Sequence, residues 1–300
     1  MKRIRLWGLM AGLLLLLVGC GRAETTGVTK PVTTQGHRYI PTLFFHGWGS
    51  SYHAETHMAD AIVKAGKTQT IVRAMVAKNG TVALKGHFRS GDYRPIVEVN
   101  FANNRSSDYP TVGRWAKNVV VALQRTYGIT SFNMVGHSMG NMAITYYLLA
   151  NAQNERLPQL RRQVAIAGHF NGILGMDDSP NQMTLNAAGR PNKLRPAYRQ
   201  LLGLRRVYPR QQVRVLNIYG DKGDGTHSDG SVSNASSRSL RYLVAARARS
   251  YREVKITGKH AQHSQLHENA QVDRLLIDFF YGPHIKVGQP DGQALASSHF

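Results

Sequence analysis

From Ile40 onward, short apolar runs alternate with longer stretches whose apolar residues fall three or four apart. Residues 40–45 are almost wholly apolar, the pattern of a strand buried on both faces. Residues 54–65 follow, with Met58, Ile62 and Val63 at helical spacing. Residues 70–76 and 81–88 are strand-like and flank Lys78-Asn79-Gly80, a hairpin signal. Residues 95–101 read as a strand. Residues 112–127 read as a helix, with Trp115, Val119, Leu123 and Tyr127 four apart. Further strands are expected at 132–135, 163–167, 213–219 and 253–256, and a closing helix at 272–280. Repeated strand–helix units predict an α/β domain: a mostly parallel sheet covered on both faces, with one early antiparallel hairpin. Sites in such sheets lie beyond the C-terminal strand ends. The loops after Phe45, Val135, Tyr219 and Ile256 therefore draw attention, and all four hold residues capable of chemistry.

The loop after Val135 reads Gly136-His137-Ser138-Met139-Gly140, with an apolar run before it and a helix-like segment from Met142 after it. Strand, G-x-S-x-G, helix is the context of a nucleophile elbow. The turn there is so tight that only glycine fits two residues either side of the serine. A serine alcohol is a weak nucleophile at neutral pH. It needs a base to take its proton and a carboxylate to orient that base. In α/β-hydrolases these follow in the order serine, acid, histidine. The acid candidates lie in Gly220-Asp221-Lys222-Gly223-Asp224-Gly225-Thr226-His227-Ser228-Asp229-Gly230. Asp229 is preferred, because Gly230-Ser231-Val232 resembles the turn after the catalytic aspartate of many lipases. Asp221, at the strand end, is the alternative, and Asp224 reads as turn chemistry. The base candidates are His260, His263 and His267. His263 is preferred for its place just before the closing helix, among 13 histidines in the chain.

An oxyanion hole needs backbone N–H groups fixed in advance. Met139, following the serine, supplies one. Phe45-His46-Gly47-Trp48-Gly49 supplies the other through Trp48, with His46 stabilising the loop. His53 and His57 are four apart, but His-Ala-Glu-Thr-His is not a zinc motif and no third ligand is evident. Neither a metal nor a cofactor is expected.

The N-terminus changes the picture of location. Lys2, Arg3 and Arg5 precede an apolar stretch, residues 6–18, too short for a confident membrane span. Leu17-Val18-Gly19-Cys20 resembles the lipobox of bacterial lipoproteins. The resemblance implies a signal peptide over 1–19, cleavage before Cys20, a lipid on its sulfur, and residence on the outer face of the cell membrane. Cys20 is the single cysteine, so no intramolecular disulfide can form. Residues 20–36 read as a tether, 37–282 as one domain, and 283–300 as a loose tail. The net charge of +21 is high for an exported protein. Without a nucleic-acid motif and with an export signal, it points to an anionic membrane or cell-wall surface, an attraction that salt weakens. The oligomeric state is not readable from the sequence.

Residues 40–47 (Ile-Pro-Thr-Leu-Phe-Phe-His-Gly), the elbow with Asn141, Ala167-Gly168-His169-Phe170-Asn171-Gly172, the Asp229 loop and His263-Ser264-Gln265-Leu266-His267-Glu268-Asn269 together resemble the α/β-hydrolase family of Gram-positive cell-surface hydrolases. One departure is Ser231-Val232-Ser233, where a hydrophobic residue and then a proline are expected. The resemblance implies the α/β-hydrolase fold and a lipase- or esterase-like Ser138–His263–Asp229 triad. It assigns no physiological substrate. The expected activity is hydrolysis of a small-molecule or lipid ester through an acyl-enzyme. An acyltransferase with the same triad, or a non-catalytic surface-binding lipoprotein, are the alternatives. Residues 171–211 form an insertion of lid-like position. From Asn181 to Arg214 it holds eight Lys or Arg and no Asp or Glu. Leu194, Tyr198, Leu201, Leu202 and Leu204 predict an amphipathic helix with a basic face, a candidate lid for anionic lipid or an acidic substrate.

Overall fold

A computed structural model describes residues 39–282. The expected signal peptide, Cys20, the tether and the 283–300 tail lie outside the described residues. Eight strands form one sheet: β1 (Thr42–Phe45), β2 (Ile71–Val76), β3 (Val82–Lys85), β4 (Ile96–Phe101), β5 (Ser131–His137), β6 (Gln159–Ile166), β7 (Arg214–Asp221) and β8 (Ser250–Thr257). Their order is β3-β2-β4-β1-β5-β6-β7-β8. Only β3 runs antiparallel, paired with β2 across the predicted hairpin. Gly80 takes φ 87° in that turn, a conformation open to glycine. β1 and β5 are buried along their whole length and lie at the centre.

Helix α1 (His53–Lys64) and helix α8 (Ala270–Tyr281) cover one face of the sheet, burying Met58, Ile62, Val272 and Leu276 against Val135, Ile166 and Ile218. Helices α2 (Tyr109–Tyr127) and α3 (Met139–Asn151) cover the other. They cross closely at Gly113, where a Cβ would stand 2.8 Å from the Tyr146 backbone. α2 begins three residues before its expected start. Asp108 caps it by accepting from the Thr111 N–H (3.1 Å), and Pro110 fits the first turn. The outer ends of β6 and β8 are also longer than the apolar pattern indicated, since both carry polar residues there.

The basic insertion departs from expectation. It forms two short helices, α4 (Pro196–Leu201) and α5 (Leu204–Val207), broken near Gly203. Gly203 sits so close to α3 that a Cβ would stand 2.7 Å from Leu149. Tyr198, Leu201 and Leu204 are fully buried in the α2–α3 core. The Tyr198 hydroxyl donates to the Ser239 carbonyl (2.9 Å), and the Tyr146 hydroxyl donates to Gln200 (2.8 Å). The amphipathic face is thus spent on the core, and the basic segment lies beside α3 rather than over Ser138. Helices α6 (Asn234–Arg238) and α7 (Leu240–Val244) complete this side. Among the described residues no helix is long and apolar enough to cross a membrane.

Candidate active site

Ser138 stands between the end of β5 and the start of α3, at φ 52° and ψ −118°. A non-glycine residue held there stores on the order of 1–3 kcal/mol of strain, which the flanking structure must impose. The two motif glycines show how. A Cβ on Gly140 would stand 2.0 Å from the Phe45 carbonyl oxygen, and one on Gly136 2.7 Å from the Asn141 nitrogen. The Ser138 N–H donates to the Ile166 carbonyl (3.0 Å), and Asn141 Nδ2 donates to the carbonyls of Ile166 (2.9 Å) and Ser138 (3.2 Å). The elbow is clamped between β1, β5 and β6.

His263 opens a 3-10 turn, His263–Glu268, whose first N–H groups bond the Gln262 side chain. Its Nε2 lies 2.9 Å from Ser138 Oγ, and its Nδ1 2.8 Å from Asp229 Oδ2. The His263 N–H also donates to the Asp229 carbonyl (2.9 Å), tying the two loops through the backbone. Asp229 is 1% exposed, and its Oδ1 accepts from the N–H groups of Ser231 (2.8 Å) and Val232 (2.7 Å). A buried carboxylate held in this way supports Nδ1–H on His263, which leaves Nε2 free to accept the serine proton. The structure therefore brings Ser138, His263 and Asp229 into one hydrogen-bonded row.

The other candidates lie apart from that row. Asp221 accepts from the Gly223 N–H (3.0 Å) and from Asn234 Nδ2 (2.9 Å), with Lys255 at 3.6 Å, so it braces its own loop. Asp224 pairs with Lys222 and Thr226 at the surface. His260 is exposed. His267 packs edge-on against His137, with ring centroids 4.8 Å apart. His57 bonds Asp273 (2.9 Å), and His53 stacks on Tyr52.

Trp48 and Met139 both line the cavity beside Ser138. Among the described residues neither backbone N–H meets an acceptor. His46 explains the first. Its Nε2 accepts from the Phe101 N–H (3.1 Å), so its proton sits on Nδ1 and is donated to the Gly47 carbonyl (2.8 Å). In a trans peptide the C=O and N–H point opposite ways, so this bond turns the Trp48 N–H away from His46. Burial holds the His46 pKa below its ordinary value, which keeps the ring neutral for this task. A Cβ on Gly47 would come within 3.3 Å of Ser138 Cβ, so the loop passes right against the serine.

The cavity has a volume of about 510 Å³, and Met139, Ile173, Met176 and Val232 give it apolar walls. Two of its histidines carry no role in the sequence reading. His137, inside the serine motif, donates Nε2–H to the His263 carbonyl (3.0 Å). Burial, then the neighbouring His263 and His267, push its pKa well down. His169 is buried at the end of β6, and desolvation lowers its pKa to about 4. The strand-end rule applied to β6 as well would have found it. From the insertion, only Ile173 and Met176 line the cavity.

A mostly parallel eight-stranded sheet with a strained serine at its central elbow defines an α/β-hydrolase. Residues 29–283 match the family described as "alpha/beta hydrolase of unknown function (DUF915)", and the chain belongs to that family. The lin2722 gene product of Listeria innocua is similar in structure, with a TM-score of 0.73 and 26% identity over 83% of this chain and 96% of that one. A candidate cell surface hydrolase from Lactobacillus plantarum WCFS1 shares the fold, with a TM-score of 0.67 and 21% identity over 83% of this chain and 94% of that one. No curated protein matches the sequence.

Proposed function

We propose that this hydrolase cleaves carboxylic esters through an acyl-enzyme on Ser138. The observation that carries the reading is the continuous row from Ser138 Oγ through both nitrogens of His263 to Asp229 Oδ2, with links of 2.9 and 2.8 Å. Ser138 Oγ attacks the ester carbonyl while its proton passes to His263 Nε2. Asp229 steadies the imidazolium that forms, without taking the proton. The N–H groups of Trp48 and Met139 receive the tetrahedral oxygen, in a pocket whose apolar walls strengthen each bond. The C–O bond then breaks and the alcohol leaves with the proton from His263. Water, deprotonated by the same nitrogen, attacks the acyl-serine and frees the acid. A closed water-free site is not required, since water is the second substrate.

A fluorophosphonate probe should label the protein, and Ser138→Ala should abolish labelling. The same substitution should lower kcat on 4-nitrophenyl butyrate by at least about 10⁴-fold. Wild-type protein that folds, yet neither labels nor turns over short esters, would overturn the reading.

A further inference from the structure

A positive charge stands at the cavity itself, apart from the basic insertion. Among the described residues, Arg105 is the only cavity-lining side chain with a permanent charge. It has no carboxylate partner among them, although Glu98 and Glu253 elsewhere engage Arg73 and Arg238. Its guanidinium lies over the Trp48 ring, 5.3 Å from the centroid, and Trp48 is itself 58% exposed. The segment that carries Arg105 is bound to the loop bearing Trp48 by three hydrogen bonds. The Gly49 N–H donates to the Asn104 carbonyl (2.8 Å), the Trp48 indole N–H donates to the Arg105 carbonyl (3.0 Å), and Asn104 Nδ2 donates to the Ser50 carbonyl (2.7 Å). An uncompensated planar cation is thus held at the rim by the same loop that carries the proposed oxyanion donor, with apolar walls beyond it.

From this juxtaposition we infer that the preferred ester carries a negatively charged group, and that Arg105 holds it. The inference rests on the ester-hydrolase reading and adds a substrate class to it. A guanidinium presents a fork of N–H donors to carboxylate or phosphate, and the Trp48 ring limits the orientations it must give up on binding. The apolar walls take the uncharged remainder. The anion can lie on either side of the scissile bond, and two substrate pairs separate these cases. 4-Nitrophenyl hemisuccinate against 4-nitrophenyl butyrate places it on the acyl side. Butyryl glycerol-3-phosphate against monobutyrin places it on the alcohol side.

The wild-type protein should favour the anionic member of at least one pair in kcat/KM, and rising salt should erode that preference through KM. Arg105→Gln should lower the anionic-to-neutral ratio about fivefold to tenfold, the scale of one partly solvated charge-assisted bond. Arg105→Lys should retain part of it. Because the Trp48 and Gly49 bonds reach backbone carbonyls, both variants keep the loop. Equal changes on both members of each pair, or no wild-type preference, would sink the inference while leaving ester hydrolysis intact. If no ester is turned over, equilibrium binding of butyryl phosphate to the wild type and to Arg105→Gln decides it: equal affinity overturns it.

Discussion

At the scale of single residues, Asp229 and Asp221 differ in where their lone pairs go. Both aspartates are almost fully buried and both accept backbone N–H groups. Only Asp229 keeps an oxygen for His263, while the second oxygen of Asp221 is engaged by Asn234. Asp229→Asn should therefore drop kcat by up to about 10⁴-fold with little change in KM, because an amide favours the wrong imidazole tautomer. Asp221→Asn should act through its loop instead, lowering Tm more than kcat. Kinetics on 4-nitrophenyl butyrate with parallel thermal melts separates the two, and a larger kcat loss for Asp221→Asn would reverse the assignment. Much of this was legible from chain order and spacing, because the elbow glycines and the loop after β7 are local features. His137 and His169 were not. Their roles depend on which loops meet in space, and a histidine in a 13-histidine chain gives no local sign of burial.

At the scale of elements, apolar periodicity marks the central strands and main helices well, because their neighbours bury them from both sides. It shortens β6 and β8, whose outer halves carry arginines and other polar residues. It also identified the apolar stripe of the insertion without revealing what the stripe packs against. A mobile lid needs few core contacts, whereas α4 and α5 bury Tyr198, Leu201 and Leu204 completely. Leu201→Ala should then lower unfolding stability by about 2–5 kcal/mol, as for other core truncations. Replacing the exposed Arg199 and Arg206 by Gln should change it by no more than about 0.5 kcal/mol. Urea unfolding measures both. A negligible cost for Leu201→Ala would mean that α4 leaves the core readily, and the lid reading would return.

At the scale of the whole molecule, buried titratable groups set opposite limits on stability. His46, His137, His169 and His267 all have pKa values lowered chiefly by burial. Such groups contribute stability that is full above the ordinary histidine value of about 6.5 and is lost as pH falls through the folded values. With a folded value of about 4, His169 alone accounts for roughly 3 kcal/mol of acid sensitivity. Glu55 acts in the other direction. It is fully buried in α1, and neither carboxyl oxygen has a partner among the described residues. Burial, then the charge of Glu98, raise its pKa well above the usual carboxylate range. Arg73 and Thr56 are bonded to Glu98 rather than to Glu55. Its contribution is full below the ordinary glutamate value of about 4.3 and falls as pH rises toward the folded value. The profile of Tm against pH should therefore decline on both sides. His169→Gln should flatten the limb between about pH 6.5 and 4. Glu55→Gln, which keeps the shape and removes the ionisation, should raise Tm at pH 8 more than at pH 5. An unchanged slope in Glu55→Gln would mean that the carboxyl ionises at little cost in the folded protein, and that burial without a partner does not set its behaviour.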